Sequence, residues 1–209
     1  MDRIITALQL QKRNKQRVNV FLDGEYAFAI ELMAAAALRK GQSLSEAEIA
    51  RLREDDTLQV AYQRALSFLG YRPRSRVEVV QNLRAKGYDE AVIEQVVAQL
   101  VQQNYVDDAA FSQFWVENRE QIRPRSARAI RHELQQKGVE RSLIDDALAN
   151  LDEDEAAWAA VEPKLARWQG LGEAAFEQKI AGFLARRGFS YDVVRRIARR
   201  AQTPDERDA

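Results

Sequence analysis

The chain has 209 residues, with 32 Lys and Arg balanced by 32 Asp and Glu, 46% hydrophobic residues, one histidine and no cysteine. Lacking cysteine, it can form no disulfide, thiolate metal site, iron–sulfur cluster or cysteine nucleophile, and the lone His132 cannot build a multi-histidine metal centre. A serine hydrolase would need His132 as its base, and that residue sits among arginines in RAIRHELQQ, so no catalytic residue, cofactor or metal ligand is assigned.

The first residues, MDRIITALQLQKRNK, lack the apolar core of a secretion signal. No segment approaches the ~18 uncharged apolar residues of a membrane span. The expectation is a soluble, cytoplasmic chain with no membrane partner. Few Gly (9) and Pro (4), with abundant Ala, Leu, Arg, Glu and Gln, favour helices. Overall neutrality hides local excess: residues 1–24 hold five basic groups against two acidic, residues 25–60 four against seven, and residues 178–200 seven against Asp192 alone.

Residues 1–57 form a first region. Arg17 to Ile30, RVNVFLDGEYAFAI, reads as a β-hairpin turning at Asp23-Gly24, the pair suited to a type I′ turn. A regular two-residue turn places Val18, Val20 and Leu22 on one face with Ala27 and Ala29, and Phe21, Tyr26, Phe28 and Ile30 on the other. Ile4–Gln11 is expected as a third strand, because a lone hairpin is marginal in water. Helical segments are expected near 31–39 and 45–54, the second opening on a capping box from Ser45 to Glu48.

Beyond residue 57 the chain repeats itself. Residues 72–87, RPRSRVEVVQNLRAKG, align without a gap to residues 123–138, RPRSARAIRHELQQKG, at an offset of 51. A weaker third copy keeps Leu184, Arg187 and Gly188. Apolar positions keep step as well: Val79, Ile130 and Ile180 before the glycine, and Ile93, Ile144 and Val194 after it. Such periods mark supersecondary units that bury their apolar faces on one another. Pro73 and Pro124 disfavour helix in the residue before them, Ser75 and Glu78 form a capping box, and Gly87 ends the helix in the left-handed conformation with Lys86 at the negative end of its dipole. A second helix follows, and Asp107 and Asp108 open the next. The boundaries expected are 58–107, 108–151 and 152–200, three helices each, with a disordered tail over 201–209. Trp115, Trp158 and Trp168 are read as core anchors. In the third unit the positions of the RPRS turn are Glu173, Ala174, Ala175 and Phe176.

RVNVFLDGEYAF, ALSFLGYRPRSRVEVVQNLRAKGY, YVDDAAFSQFWVENR and the later K/R-G repeats, in this order, resemble the RecX family, regulatory proteins that restrain the RecA recombinase. The resemblance runs from about Ile5 to about Arg200. It implies a mainly α fold, tandem three-helix repeats in an elongated curved array behind a small hairpin-containing region. It also implies a non-enzyme that binds RecA and its filament on single-stranded DNA, blocks extension or promotes disassembly, and lowers ATP hydrolysis and strand exchange. The partners implied are that filament and, weakly or through it, single-stranded DNA; the chain is expected to be a monomer.

The candidate contact residues are Arg72, Arg74, Arg76, Arg123, Arg125 and Arg128 around the two RPRS turns, and Arg186, Arg187, Arg195, Arg196, Arg199 and Arg200 in the third repeat. The turns stand before helix N-termini, where backbone N–H groups add to the attraction for phosphate. Aromatics do not interleave with these arginines, which favours backbone or protein contact over base stacking. The competing reading is intramolecular pairing with Glu78, Glu117 or Glu120. Two other classes stay open, a freestanding helical-repeat DNA-binding protein and a scaffold for an unrelated protein; neutral net charge weighs against the first.

Overall fold

A computed structural model describes residues 2–202. Among them are four strands and ten helices, and the chain divides into two compact units, Met1–Phe68 with Asn82–Leu100 and Leu69–Gln81 with Val101–Ala209.

The first unit is built on an antiparallel sheet of β1 (Arg3–Leu10), β2 (Arg17–Leu22), β3 (Glu25–Glu31) and the two-residue β4 (Ser43–Leu44), in the order β3-β2-β1-β4. Asp23 and Gly24 both have positive φ, 51° and 92°, as a type I′ turn requires. The expected face assignment does not survive. Phe21 pairs with Tyr26 but Val20 pairs with Phe28, so Ala27 is bulged out and the register slips by one residue. Phe28 and Ile30 therefore join Val18, Val20 and Leu22 on the buried face, with Ile5, Leu44 and Ile49. The bulge buries the large side chains and leaves Ala27 at the margin of that core, the exchange that apolar burial favours at ~0.8 kcal/mol per methylene.

The free edge of β3 is covered from within the unit. Arg53 donates to the Ala27 carbonyl at 2.9 Å, and Arg17 donates to the Ala29 carbonyl at 2.9 Å. Arg17 also forms a two-pronged pair with Asp56 at 2.6 and 2.8 Å, and Asp56 accepts the Glu31 N–H at 3.0 Å. Open edges invite pairing with other chains, and these contacts occupy this one. Asp56→Ala strands three donors at once. It is expected to lower the unfolding free energy by about 2 kcal/mol, read as a shift of the urea midpoint.

Of the two early helices expected, the first is a single turn, α1 (Leu32–Ala35), and the second is the start of the long α2 (Glu46–Leu69). Its capping box is present: Ser45 N–H donates to Glu48 at 2.7 Å, and Glu48 N–H donates to Ser45 Oγ at 3.3 Å. The division expected between residues 57 and 58 falls inside this helix. Helix α3 (Arg76–Ala85) is followed by Gly87 at φ +84° and then by α4 (Glu90–Gln102), which buries Ile93, Val96, Val97 and Leu100.

The second unit holds two three-helix sets. Helices α5 (Asp108–Ile122), α6 (Ala127–Gln136) and α7 (Arg141–Leu148) enclose Phe111, Val116, Ile130, Leu134 and Ile144. Helices α8 (Glu153–Trp168), α9 (Glu173–Ala185) and α10 (Tyr191–Gln202) enclose Ala157, Val161, Ile180, Leu184 and Ile197. Both sets open on an aspartate cap. Asp107 accepts from Ala109 and Ala110 N–H at 2.8 and 3.0 Å, and Asp152 from Asp154 and Glu155 at 2.9 and 3.1 Å. Each cap contributes about 1 kcal/mol. The three tryptophans pack against these cores at their margins, only partly buried. Of the expected tail, Ala201 and Gln202 belong to α10, and residues 203–209 lie outside the described residues.

Candidate functional site

Both RPRS turns lie in the second unit, and in each the serine is buried, 0% exposed for Ser75 and 1% for Ser126. Ser75 and Glu78 form the expected capping box: Ser75 N–H donates to Glu78 at 3.1 Å, and Glu78 N–H donates to Ser75 Oγ at 3.2 Å. The serine hydroxyl proton goes elsewhere, to the Lys137 carbonyl at 2.7 Å. The second turn repeats the arrangement one unit on. Ser126 Oγ accepts from Ala129 N–H at 3.2 Å, Ser126 N–H donates to the Arg187 carbonyl at 3.2 Å, and Arg187 Nη1 donates to the Pro124 carbonyl at 3.0 Å. Each RPRS turn thus receives the K/R-G turn of the following repeat. These pairings join residues about sixty positions apart and have no signature in local sequence.

Around the first turn the cations gather on one acid. Glu78 receives Arg72 Nη2 at 2.7 Å and Lys137 Nζ at 2.9 Å, and Arg74 stands 4.0 Å away. Burial pushes the Glu78 carboxyl upward, but hydrogen bonds from Arg72, Lys137 and the Ser75 N–H, with the Lys137 charge, bring it down to about 2. Lys137 also stands over the Trp115 ring, 4.4 Å from its centroid. Intramolecular pairing is therefore the finding for Arg72 and Arg74.

The second turn differs. At the offset of 51, Ala129 stands where Glu78 stands in the first. Arg125 reaches Glu133 at 3.1 Å, but Glu133 also takes Arg119 Nε at 2.7 Å and the Trp115 indole N–H at 2.8 Å. The acid used is Glu133, not the Glu117 or Glu120 suggested by proximity in sequence. Among the described residues no carboxylate pairs with Arg123, Arg186 or Arg187. The Arg187 guanidinium lies 4.5 Å from the centre of the Phe183 ring, and burial, with the charges of Arg123 and Arg125, lowers its pKa. Arg123, Arg125, Phe183, Arg186 and Arg187 line one surface pocket of about 250 Å³.

The remaining candidates divide. Arg196 forms a two-pronged pair with Asp154, both contacts at 2.7 Å, and Arg200 pairs with Glu155 at 2.7 Å while covering Trp158 at 4.2 Å. The acidic start of α8 thus neutralises two arginines of α10. Arg128 donates to the Gly188 carbonyl at 3.4 Å. Arg76 has its backbone N–H on Asp108 at 2.7 Å and its side chain exposed; Arg195 and Arg199 are exposed on α10. Among the described residues no group of three His, Cys, Asp or Glu could hold a metal ion, and no helix is long and apolar enough to cross a membrane.

Four family models match in register with these elements. They are the regulatory protein RecX N-terminal domain over residues 3–45 and the first, second and third RecX three-helix domains over residues 61–100, 107–148 and 152–197. A protein of Bacillus licheniformis named regulatory protein RecX is 34% identical over 195 residues, covering 91% of this chain and 74% of its own. One of Clostridioides difficile with the same name is 30% identical over 210 residues, covering 98% and 99%. A crystal structure of a regulatory protein RecX superposes with a TM-score of 0.70 at 31% identity, covering 93% of this chain and 98% of its own. With its strand region and all three helical domains matched in order, the chain belongs to the RecX family of regulatory proteins.

Proposed function

We propose that this protein restrains the RecA recombinase: it binds RecA and its filament on single-stranded DNA, blocks extension or promotes disassembly, and so lowers ATP hydrolysis and strand exchange without catalysing a reaction itself. On this reading it acts in the cytoplasm, in homologous recombination, DNA repair and the SOS response. The observation that supports it most is family membership running domain by domain along the chain. The physics is compatible. Tandem domains carry similar turns at regular intervals, a helical filament offers its own repeated surface, and modest contacts then add through effective concentration.

The test is single-strand-dependent ATP hydrolysis by RecA, titrated with this protein at substoichiometric ratios, beside a DNA-only binding control at the same salt. The expected result is loss of hydrolysis well before the strand is saturated with this protein. Undiminished hydrolysis overturns the reading. If instead DNA alone is bound tightly and released steeply by salt, the chain is a freestanding DNA-binding protein.

A further inference from the structure

We propose that Arg123, Arg125, Arg186 and Arg187 form a receptor for a phosphate oxyanion, filled in the working protein by a backbone phosphodiester of single-stranded nucleic acid. This deepens the reading above and rests on it for the source of the phosphate.

The chain holds two copies of one design, and they differ in charge. Both RPRS turns seat a K/R-G turn, and both bring the same three cations together: Arg72, Arg74 and Lys137 in the first, Arg123, Arg125 and Arg187 in the second. Clustered like charges repel most where water is partly excluded, so an anion among them is stabilising. The first turn carries its own, Glu78, within 2.7–2.9 Å of two cations and 4.0 Å of the third. The second has Ala129 at that position and adds a fourth cation, Arg186. Glu133 reaches only Arg125 of the four and is shared with Arg119 and Trp115. The cluster is thus short of negative charge, and it opens to solvent through a pocket of about 250 Å³ that all four arginines line.

The shape of the deficit selects the ligand. Guanidinium groups are planar forks that match two oxygens of a phosphate at once. The one aromatic lining the pocket, Phe183, is already engaged by the Arg187 guanidinium, 4.5 Å from its centroid, and by the Trp168 ring at 5.6 Å in a T-shaped contact, so the pocket offers no row of free aromatic faces for bases. Contact through the sugar–phosphate backbone follows, and with it indifference to base sequence.

Two variants of the full chain test this. Ala129→Glu places a carboxylate where Glu78 stands in the first turn and closes the receptor from within. Arg123→Gln with Arg186→Gln removes two exposed cations that make no ion pair, so it answers the question even where Ala129→Glu crowds the neighbouring Gly188 turn. Melting is followed in sodium phosphate and in sodium chloride at equal ionic strength, and binding of a fluorescent oligo-dT strand is followed by anisotropy across salt. The expected result is that phosphate raises the melting temperature of the parent above chloride, and that both variants lose this difference. Each should also bind oligo-dT about tenfold more weakly, the salt slope shallower by ~0.7 for each phosphate that the variant no longer holds.

Equal melting of the parent in both salts overturns the receptor. A phosphate response lost in the variants with unchanged oligo-dT binding overturns the nucleic-acid assignment and leaves free phosphate as the ligand. Displacement of oligo-dT from the parent by poly-glutamate at equal charge, but not from the arginine variant, places an acidic protein surface there and overturns it too. No readout contains RecA, so these outcomes are independent of the hydrolysis test.

Discussion

Glu78→Gln is expected to lower the unfolding free energy at pH 7 by roughly 3 kcal/mol and to remove most of the acid sensitivity between pH 4.5 and 2. The carboxylate sits beneath Arg72, Arg74 and Lys137 with 17% of its side chain exposed, and its pKa falls from 4.5 to about 2 on folding. A depressed carboxylate contributes stability that is complete above its unfolded value near 4.5 and is lost as pH falls through the folded value near 2. A shift of that size, at 1.36 kcal/mol per pKa unit, corresponds to roughly 3 kcal/mol. Glutamine keeps the shape and the capping contact to Ser75 but leaves three cations facing one another. Urea midpoints for parent and variant at several pH values check this. A difference that stays constant between pH 7 and 2, or none at pH 7, means that Glu78 does not neutralise the turn.

The same residues show where sequence reading succeeds and where it stops. Helix punctuation is local chemistry: Ser45 with Glu48, Ser75 with Glu78 and the cap at Asp107 act within three or four positions of themselves, so spacing alone reveals them. The repeat is legible for the same reason, as glycines and apolar positions recur in register. The hairpin shows the limit. Its turn is written in Asp23-Gly24, yet the bulge at Ala27 follows from the advantage of burying Phe28 and Ile30, a tertiary preference that overrides strict alternation. The arginines show the limit again. Glu78, four residues from Arg74 and six from Arg72, is found by nearness, but in the later repeats the partners come from other helices: Glu133 from α6 for Arg119 of α5, and Asp154 and Glu155 from α8 for Arg196 and Arg200 of α10. For the second RPRS turn, nearness in sequence offers Glu117 and Glu120, whereas Arg125 pairs with Glu133 of α6. One long-range difference is nonetheless written in the sequence: aligning the repeats sets Ala129 against Glu78, so the second turn lacks the acid on which the cations of the first gather.

The K-G motif supplies the other large effect, because three glycines alike in sequence stand in different surroundings. Gly87, Gly138 and Gly188 all have positive φ, 84°, 74° and 91°, where any other L-residue is strained by about 1–2 kcal/mol. For Gly87 that strain is the whole cost of a methyl group, since a Cβ there meets nothing within 4 Å. A Cβ on Gly138 runs into Val77, 2.8 Å from its Cβ and 3.1 Å from its Cγ1, and closer still to Cγ2. One on Gly188 falls 2.7 Å from Ser126 Oγ and 3.0 Å from the Ala129 Cβ. Neither neighbour is free to withdraw: Val77 is carried on the first turn of α3, and Ser126 is buried and caps α6. Gly87→Ala is therefore expected to lower stability by about 1 kcal/mol, and Gly138→Ala and Gly188→Ala by about 3–4 kcal/mol each, the excess being overpacking where one turn seats on the other. Urea unfolding of the three variants gives the ordering. Equal losses at all three positions would mean that the glycines serve only to end helices. The expected inequality means that the later two also hold each RPRS turn against the repeat that follows, which fixes where its arginines stand.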